Sequence, residues 1–119
     1  MQFSAIPYNL LRGKAKTNYI TTGAWSVAAI AEAKKISNAV EAWPESKGTF
    51  TTIPDPETWI IDKDSAYFHY CDNETIHGVE FKDFPFAKIG ETTLVCDMSS
   101  NFCTRAVDWE KYGVVYAGS

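Results

Sequence analysis

The chain has 119 residues, of which 45% are hydrophobic and 22% are charged, and its formal net charge is −4. This length allows one domain, and the composition is typical of a globular protein that can form a core. The acidic balance argues against nucleic acid or an anionic membrane as the main partner, because both attract basic patches. The longest apolar run, residues 24–31, is far shorter than the ~20 residues that cross a bilayer.

The cysteines indicate a reducing compartment. Cys71, Cys96 and Cys103 are odd in number and lack CxxC spacing, so we expect neither a disulfide framework nor a zinc site. The N-terminus shows no basic-then-apolar signal pattern. A cytoplasmic location is the simplest expectation.

The first third of the chain alternates between helical and extended patterns. Residues 2–11 have helical spacing and predict a helix that Gly13 would end. Residues 18–22 are β-formers and predict a strand. Helical spacing starts again at Ser26, which is a candidate N-cap, and Trp25 would lie in the turn before it.

The middle of the chain predicts three further strands around a long polar segment. Residues 36–43 favour a second strand, and residues 66–71 are an apolar aromatic run of strand length. Between them, residues 45–64 are rich in Pro, Thr and Asp, which indicates a surface excursion with room for one helical turn. Residues 76–81 alternate like another strand, in which Gly78 suggests a bulge or a close backbone approach.

The last third contains the segment that matters most for function. Residues 93–96 are short, apolar and rich in β-branched side chains, as in a fully buried strand, and Asp97 follows where that strand would leave the sheet. After a polar link, residues 113–118 predict a final strand. The alternation of strands and helices predicts an α/β fold with a mostly parallel sheet flanked by helices.

Three of the predicted strands end next to side chains that could bind a ligand. Trp25 follows the strand predicted at 18–22, Thr75 the strand at 66–71 and Asp97 the strand at 93–96. In parallel sheets these ends meet at one edge, which is where such sheets bind ligands. An aromatic plane, a hydroxyl and a carboxylate there would suit a flat ring with a basic nitrogen, because the carboxylate would keep that nitrogen protonated. A protonated pyridine nitrogen makes pyridoxal phosphate an electron sink.

Each of these residues also has an ordinary structural interpretation. Asp97 could be a helix N-cap or a turn former, Trp25 a core residue and Thr75 a turn hydroxyl. A magnesium ligand at Asp97 is disfavoured because the chain has no GxxxxGK[ST] loop. His69 and His77 are better explained as structural histidines than as ligands or acid–base groups.

Five segments resemble the phosphoserine aminotransferase family, in the order and spacing of that family. They are QFSAIPYNL at 2–10, TGAWS at 22–26, YCDNETIHGVEF at 70–81, CDMSSNF at 96–102 and VDWEKYGVVYAG at 107–118. The resemblance covers essentially the whole chain. It implies that residues 1–119 are the central part of the large domain of a class V, pyridoxal phosphate-dependent aminotransferase.

The resemblance also implies a role for each site residue. Trp25 would stack on the cofactor ring, Thr75 would hydrogen-bond the ring oxygen and Asp97 would hold the pyridine nitrogen. The implied reaction transfers an amino group from glutamate to 3-phosphohydroxypyruvate, giving 2-oxoglutarate and phosphoserine for serine biosynthesis. The implied assembly is a homodimer that acts on small amino and keto acids.

Two parts of the family's catalytic apparatus fall outside the matched segments. The glycine-rich phosphate loop would precede Gln2, and the Schiff-base lysine would follow Gly118. Lys111 precedes the last predicted strand and cannot replace that lysine. We therefore expect no catalytic residue in residues 1–119 and no turnover from them alone.

Two alternatives to an enzyme segment remain open. One is a non-catalytic, truncated α/β fragment or isoform with at most weak cofactor binding. The other is a small nucleotide- or flavin-binding module, which would need a glycine-rich turn after the first strand. Residues 22–26 match such a turn poorly.

Overall fold

The structure is a computed structural model. It describes residues 5–7, 10–11, 16–43, 53, 55–62, 64–76, 78–81, 84–90, 92–101 and 109–117. Residues 5–7 and 10 are helical, in agreement with the first predicted helix. The interpretations of Gly13, His77 and Cys103 lie outside the described residues. No helix in the described ranges is long and apolar enough to cross a membrane.

Apart from the helical residues 5–7 and 10, the described residues form strands in two sheets, two helices and two short 3-10 turns. The strands are β1 Lys16–Tyr19, β2 Asn38–Glu41, β3 Phe68–Cys71, β4 Asn73–Glu74, β5 Val79–Glu80, β6 Leu94–Asp97 and β7 Val114–Tyr116. The helices are α1 Ala24–Ala33 and α2 Phe86–Ile89, and the 3-10 turns are Pro56–Thr58 and Trp109–Lys111.

The main sheet has the strand order β2-β1-β3-β6-β7, and each neighbouring pair is parallel. The prediction of an α/β fold with a mostly parallel sheet is therefore confirmed. The chain adds β2 on one side of β1 and then crosses over to add β3 on the other side. Such a reversal opens a crevice at the carboxyl ends of the strands, between β1 and β3.

One face of the sheet is covered by aromatic side chains. The main members of this cluster are Trp59, Phe68, Tyr70, Phe81 and Phe84. Tyr70 and Phe84 stack with ring centroids 4.1 Å apart, and Trp59 stacks on Phe68 at 5.8 Å. The polar excursion before β3 and the segment after β5 thus supply the cover on this face.

The other face is covered by α1. Its small and branched side chains, Ala29, Ile30 and Ala33, pack in one cluster with Tyr19 and Val95 of the sheet. The small residues allow the helix to approach the sheet closely. Because a helix of ten residues is only marginally stable by itself, burial of this apolar stripe supplies most of its stability.

A buried asparagine fastens the end of the polar excursion to the sheet. Asn18 Oδ1 accepts hydrogen bonds from the Asp62 backbone N–H at 2.8 Å and from Ser65 Oγ at 2.6 Å. Its Nδ2 donates to the Val40 carbonyl at 3.3 Å. This side chain links β1, β2 and the segment that leads into β3.

Helix α1 begins earlier than the sequence predicts. Its N-cap is Gly23, and Ser26 is its third residue, so the prediction of Ser26 as the N-cap is wrong. Trp25 consequently lies in the first helical turn and not in a loop before the helix. The reason is a cap that comes from elsewhere in the chain, described below.

Residues 76–81 do not join the main sheet as a strand. Among the described residues of this range, Val79–Glu80 is the extended part, and it pairs antiparallel with β4 in a separate hairpin. Gly78 lies in the hairpin turn with φ +70°, and no atom lies within 4 Å of a Cβ placed there. The predicted bulge or close approach is therefore wrong, and Gly78 instead supplies a left-handed backbone conformation.

Two other segments differ in detail from the predictions. The segment before β6, for which the sequence patterns above predict neither a helix nor a strand, contains the short helix α2. Most strands are also shorter than the apolar runs that predict them. Ile20 and Met98 lie just past the ends of β1 and β6, where both are buried and donate their backbone N–H groups to the carbonyls of His69 and Tyr116.

Candidate functional site

Trp25 and Thr75 meet at the carboxyl edge of the sheet although 50 residues separate them. The indole Nε1–H of Trp25 donates to Thr75 Oγ1 at 3.1 Å. Helix α1 positions the tryptophan, and the β4–β5 hairpin turn positions the threonine. Trp25 is 44% exposed and belongs to neither core cluster, so the interpretation of Trp25 as a core residue is wrong.

A buried glutamate fixes the first turn of α1. Glu74 is fully buried, and its Oε2 and Oε1 accept the backbone N–H groups of Trp25 and Ser26, each at 3.0 Å. These N–H groups have no partner within the helix, since its first internal bond is Val27 N–H to the Gly23 carbonyl. Glu74 therefore caps α1 from the hairpin.

The cap requires a glycine at the start of the helix. A Cβ at Gly23 would lie 2.5 Å from Glu74 Oε2 and 2.6 Å from its Cδ. The backbone at Gly23 is extended, which any residue adopts, so the requirement comes from space and not from its φ of 177°. Sequence reasoning identified neither the role of Glu74 nor its fit to Gly23, because no local pattern links residues 51 positions apart.

Asp97 is the last residue of β6, where it is buried at 5% exposure. Its Oδ1 accepts from the backbone N–H and the hydroxyl of Ser99, at 2.9 Å and 2.5 Å. Asp97 is thus a turn former, as the structural interpretation proposes. No described residue donates a hydrogen bond to Oδ2, so this buried carboxylate retains an acceptor for a donor from outside the described chain.

The strand neighbours of Asp97 do not supply a counter-charge. Cys71 and Tyr116 are its register partners on β3 and β7. Burial raises the pKa of both groups well above the ordinary values, and the charge of Asp97 raises them further, so both remain neutral. Among the described residues, no lysine or arginine forms an ion pair with Asp97.

His69 has the environment of a structural histidine. It is buried, it stacks on Tyr19 with centroids 4.7 Å apart, and its Nε2 lies 2.8 Å from Tyr116 Oη. Burial lowers its pKa to about 3, so the ring is neutral at neutral pH. Such a group neither carries charge nor exchanges protons near pH 7.

A second network joins the loop after β6 to the hairpin. Asn101 Nδ2 donates to Asp72 Oδ2 at 2.6 Å and to Glu80 Oε2 at 2.8 Å. Asn73 Nδ2 donates to Ser100 Oγ at 3.0 Å. The loop that follows Asp97 and the hairpin turn with Thr75 are therefore held together.

The structure disfavours two other kinds of site. A nucleotide phosphate would use the free N–H groups at the start of α1, but Glu74 already accepts two of them and fills the space beside Gly23. No group of three or more His, Cys, Asp or Glu residues in the described ranges could hold a metal ion. What remains is an indole plane, a hydroxyl and a carboxylate oxygen along one edge, which suits a planar, cationic heteroaromatic ligand.

The fold places the protein in the class of α/β proteins with a parallel sheet whose strand order reverses, a class in which the switch point is the usual place for a ligand. Within that class, the chain belongs to the aminotransferase class-V family, whose model matches residues 1–119. The resemblance expected from the sequence motifs is thereby confirmed at the level of the family.

Similar proteins of known identity cover this chain almost completely. It is 44% identical over 118 residues to phosphoserine aminotransferase 2, chloroplastic, of Arabidopsis thaliana, which covers 99% of this chain and 28% of that protein. It is 47% identical over 118 residues to phosphoserine aminotransferase of Ruthia magnifica, with 99% and 32% covered.

Solved structures agree with this. The pyridoxal phosphate (PLP)-bound phosphoserine aminotransferase of Trichomonas vaginalis superimposes with a TM-score of 0.87 at 39% identity, covering 98% of this chain and 32% of that one. The Bacillus circulans phosphoserine aminotransferase gives a TM-score of 0.89 at 38% identity, with the same coverage. The chain spans about three-tenths of the length of the relatives that it matches.

Proposed function

We propose that residues 1–119 form the part of a phosphoserine aminotransferase large domain that holds the ring of pyridoxal phosphate. The observation that carries this proposal is the Oδ2 of the buried Asp97, to which no described residue donates a hydrogen bond, at the same sheet edge as the Trp25–Thr75 pair. The similarity of the chain to phosphoserine aminotransferases supports it, as does the cofactor bound in the Trichomonas vaginalis structure.

Asp97 is the residue that would hold the pyridine nitrogen. Its Oδ1 is oriented by Ser99, which leaves Oδ2 as the acceptor for the ring N–H. A carboxylate in a site of low polarity raises the pKa of the nitrogen that it contacts and keeps it protonated. When bound, the protonated cofactor supplies the electron sink on which amino-group transfer depends.

The directions of the hydrogen bonds define the role of Thr75. An indole N–H can only donate, so Thr75 Oγ1 must be the acceptor in its contact with Trp25. The hydroxyl hydrogen of Thr75 is then available to donate to an oxygen on the cofactor ring. The same contact holds the Trp25 indole by its edge, which leaves its face available for stacking on the ring.

The remaining elements of the proposal come from the family. The substrates are glutamate and 3-phosphohydroxypyruvate, and the assembly is a homodimer. A cytoplasmic compartment is proposed separately, from the cysteine usage of the sequence. We propose that the lysine bound to the cofactor lies outside residues 1–119. Lys111 precedes β7 and lies 6.0 Å from the Phe86 ring centroid, at the opposite edge of the parallel sheet from Asp97.

A chimera tests this proposal. Residues 1–119 replace the matching third of a full-length phosphoserine aminotransferase, and turnover of glutamate with 3-phosphohydroxypyruvate is measured. We expect the chimera to be active, and we expect Asp97→Asn to lower kcat by about 100-fold or more, because an amide stabilises the protonated ring nitrogen far less than a charged carboxylate does.

Two matched controls accompany this measurement. Asp55→Asn removes an exposed carboxylate, and Trp109→Ala removes a tryptophan that is 49% exposed before β7. Both should leave kcat unchanged, whereas Trp25→Ala should weaken cofactor binding. A folded chimera that binds the cofactor and retains full activity with Asp97→Asn would refute the role of Asp97.

The polypeptide of residues 1–119 by itself should show no turnover in the same assay. A chimera without turnover that still binds pyridoxal phosphate would favour the non-catalytic alternative. Measurable transaminase activity of the 119-residue polypeptide would contradict the proposal that the lysine lies elsewhere.

A further inference from the structure

We propose that Glu74 is a positioning residue that sets the orientation of Trp25 at the cofactor edge through the backbone of α1. The contacts on which this inference depends are internal to the chain. The identity of the ligand that Trp25 faces rests on the proposed function above.

The first part of the argument is the nature of the contact. Glu74 accepts the N–H groups of the second and third residues of α1, one with each carboxylate oxygen, and both distances are 3.0 Å. A charged acceptor makes stronger hydrogen bonds than a neutral one, and negative charge is favourable at a helix N-terminus. Because one of these N–H groups belongs to Trp25 itself, the carboxylate fixes the point from which the indole projects.

The second part is the space that the chain reserves for this carboxylate. Glu74 is completely buried, and a Cβ at Gly23 would lie within 2.7 Å of Glu74 Cγ, Cδ and Oε2. A helix can be capped by a serine or aspartate at its own N-cap position. The chain instead has glycine there and brings a longer side chain from β4.

The third part is the position of Glu74 in the chain. Thr75, the next residue, accepts the indole N–H of Trp25 at 3.1 Å. Two consecutive residues of the hairpin therefore hold Trp25 at two points: Glu74 holds its backbone and Thr75 holds its ring. With the backbone held by Glu74 and the ring held by Thr75, rotation about the side-chain bonds of Trp25 is restricted.

Hydrogen exchange of the full chain without cofactor tests this inference directly. The amides of Trp25 and Ser26 have no partner within the helix, so their protection reports on Glu74. In Glu74→Gln the amide group can accept only one of the two N–H groups. We expect exchange in a peptide covering residues 23–28 to be about tenfold faster, with other peptides of the sheet unchanged.

The control is Glu57→Gln, which removes the charge of a glutamate whose side chain is 83% exposed. This variant should change hydrogen exchange neither in residues 23–28 nor in the other peptides of the sheet. A second variant, Gly23→Ala, keeps the charge of Glu74 but pushes its carboxylate away from α1, and it should produce the same local change. If Glu74→Gln does not fold, the exchange result of Gly23→Ala decides whether Glu74 positions Trp25. Unchanged exchange in residues 23–28, or an equal increase across the whole sheet, would overturn the inference.

Cofactor affinity separates this inference from the proposed function. Titration of the chimera with pyridoxal phosphate, monitored by quenching of tryptophan fluorescence, should show about tenfold weaker binding in Glu74→Gln than in Glu57→Gln. If the unsubstituted chimera binds no pyridoxal phosphate, the proposed function fails, while the exchange result still decides the role of Glu74. If the parent binds and Glu74→Gln binds equally well, the positioning role fails and the proposed function stands.

Discussion

At the scale of single residues, the buried polar groups of this protein differ in how far their hydrogen-bonding capacity is satisfied within the described chain. Asn18 and Glu74 bond other groups of the chain with both side-chain heteroatoms. Asp97 and His69 each retain an atom, Oδ2 and Nδ1, for which the described residues provide no hydrogen-bond partner. Asp97 lies at the carboxyl edge of the sheet, where a ligand can supply the missing donor, whereas His69 is enclosed in the core.

The burial of His69 predicts a specific pH dependence of stability. Its pKa is about 3 in the folded chain, against the ordinary histidine pKa of 6.5 in the unfolded chain, so below pH 6.5 the unfolded chain binds the extra proton. The stability that depends on neutral His69 is therefore complete above pH 6.5 and is lost as the pH falls toward 3. From pH 7 to pH 5 the free energy of unfolding should drop by about 2 kcal/mol through this residue.

Urea unfolding at pH 7 and pH 5 measures this drop. His69→Gln is less stable at both values, but its change between them should be smaller than that of the parent by about 2 kcal/mol. His77→Gln removes the other of the two histidines and should retain the parental change. An equal pH dependence in the parent and in His69→Gln would contradict the prediction.

At the scale of secondary-structure elements, the β4–β5 hairpin is the part that organises the site. It carries Glu74 and Thr75, and it is tied to the loop after β6 through Asn101. Its turn contains Gly78 with φ +70°, and the amide of Gly78 donates to the Glu74 carbonyl at 2.8 Å. The conformation of this turn thus bears directly on the residue that caps α1.

Substitution of Gly78 should destabilise the chain through the backbone alone. A Cβ there meets no atom within 4 Å, so Gly78→Ala adds only the strain of a left-handed conformation, about 1 kcal/mol in the free energy of unfolding. Gly78→Asn should be less costly, because asparagine tolerates this region better. Equal stability of the alanine variant and the parent in urea would show that the turn has another conformation.

At the scale of the whole molecule, the sheet has two edges, at β2 and β7. The three residues of β7 are only half-buried, in contrast to the fully buried β3 and β6. The radius of gyration, 13.0 Å, is close to the ~13 Å expected for a compact domain of about this length. The chain therefore has a compact core with strand edges beside it.

An edge strand with unpaired backbone groups is a template for pairing with another chain. We expect the polypeptide of residues 1–119, produced by itself, to form dimers or larger species at micromolar concentration in analytical ultracentrifugation. The same segment within the chimera should not add such association. A stable monomer with one cooperative urea transition would contradict this prediction.

The amino-acid sequence by itself determined the class of fold and the grouping of the residues that we propose hold the cofactor. Apolar runs of strand length that alternate with helical spacing require a covered parallel sheet, because each run must be buried on both faces. Once strands are parallel, their carboxyl ends share one edge, which is why Trp25, Thr75 and Asp97 could be grouped before any coordinates. The motifs around these residues also identified the family.

Only the tertiary structure decided how these residues are held. Glu74 reaches from β4 to the N-terminus of α1 and accepts the backbone N–H groups of Trp25 and Ser26, while Thr75 accepts the indole N–H of Trp25. Local sequence patterns contain the preferences of neighbouring residues, but the space beside Gly23 and the buried carboxylate that fills it exist only after residues 51 positions apart have been brought together.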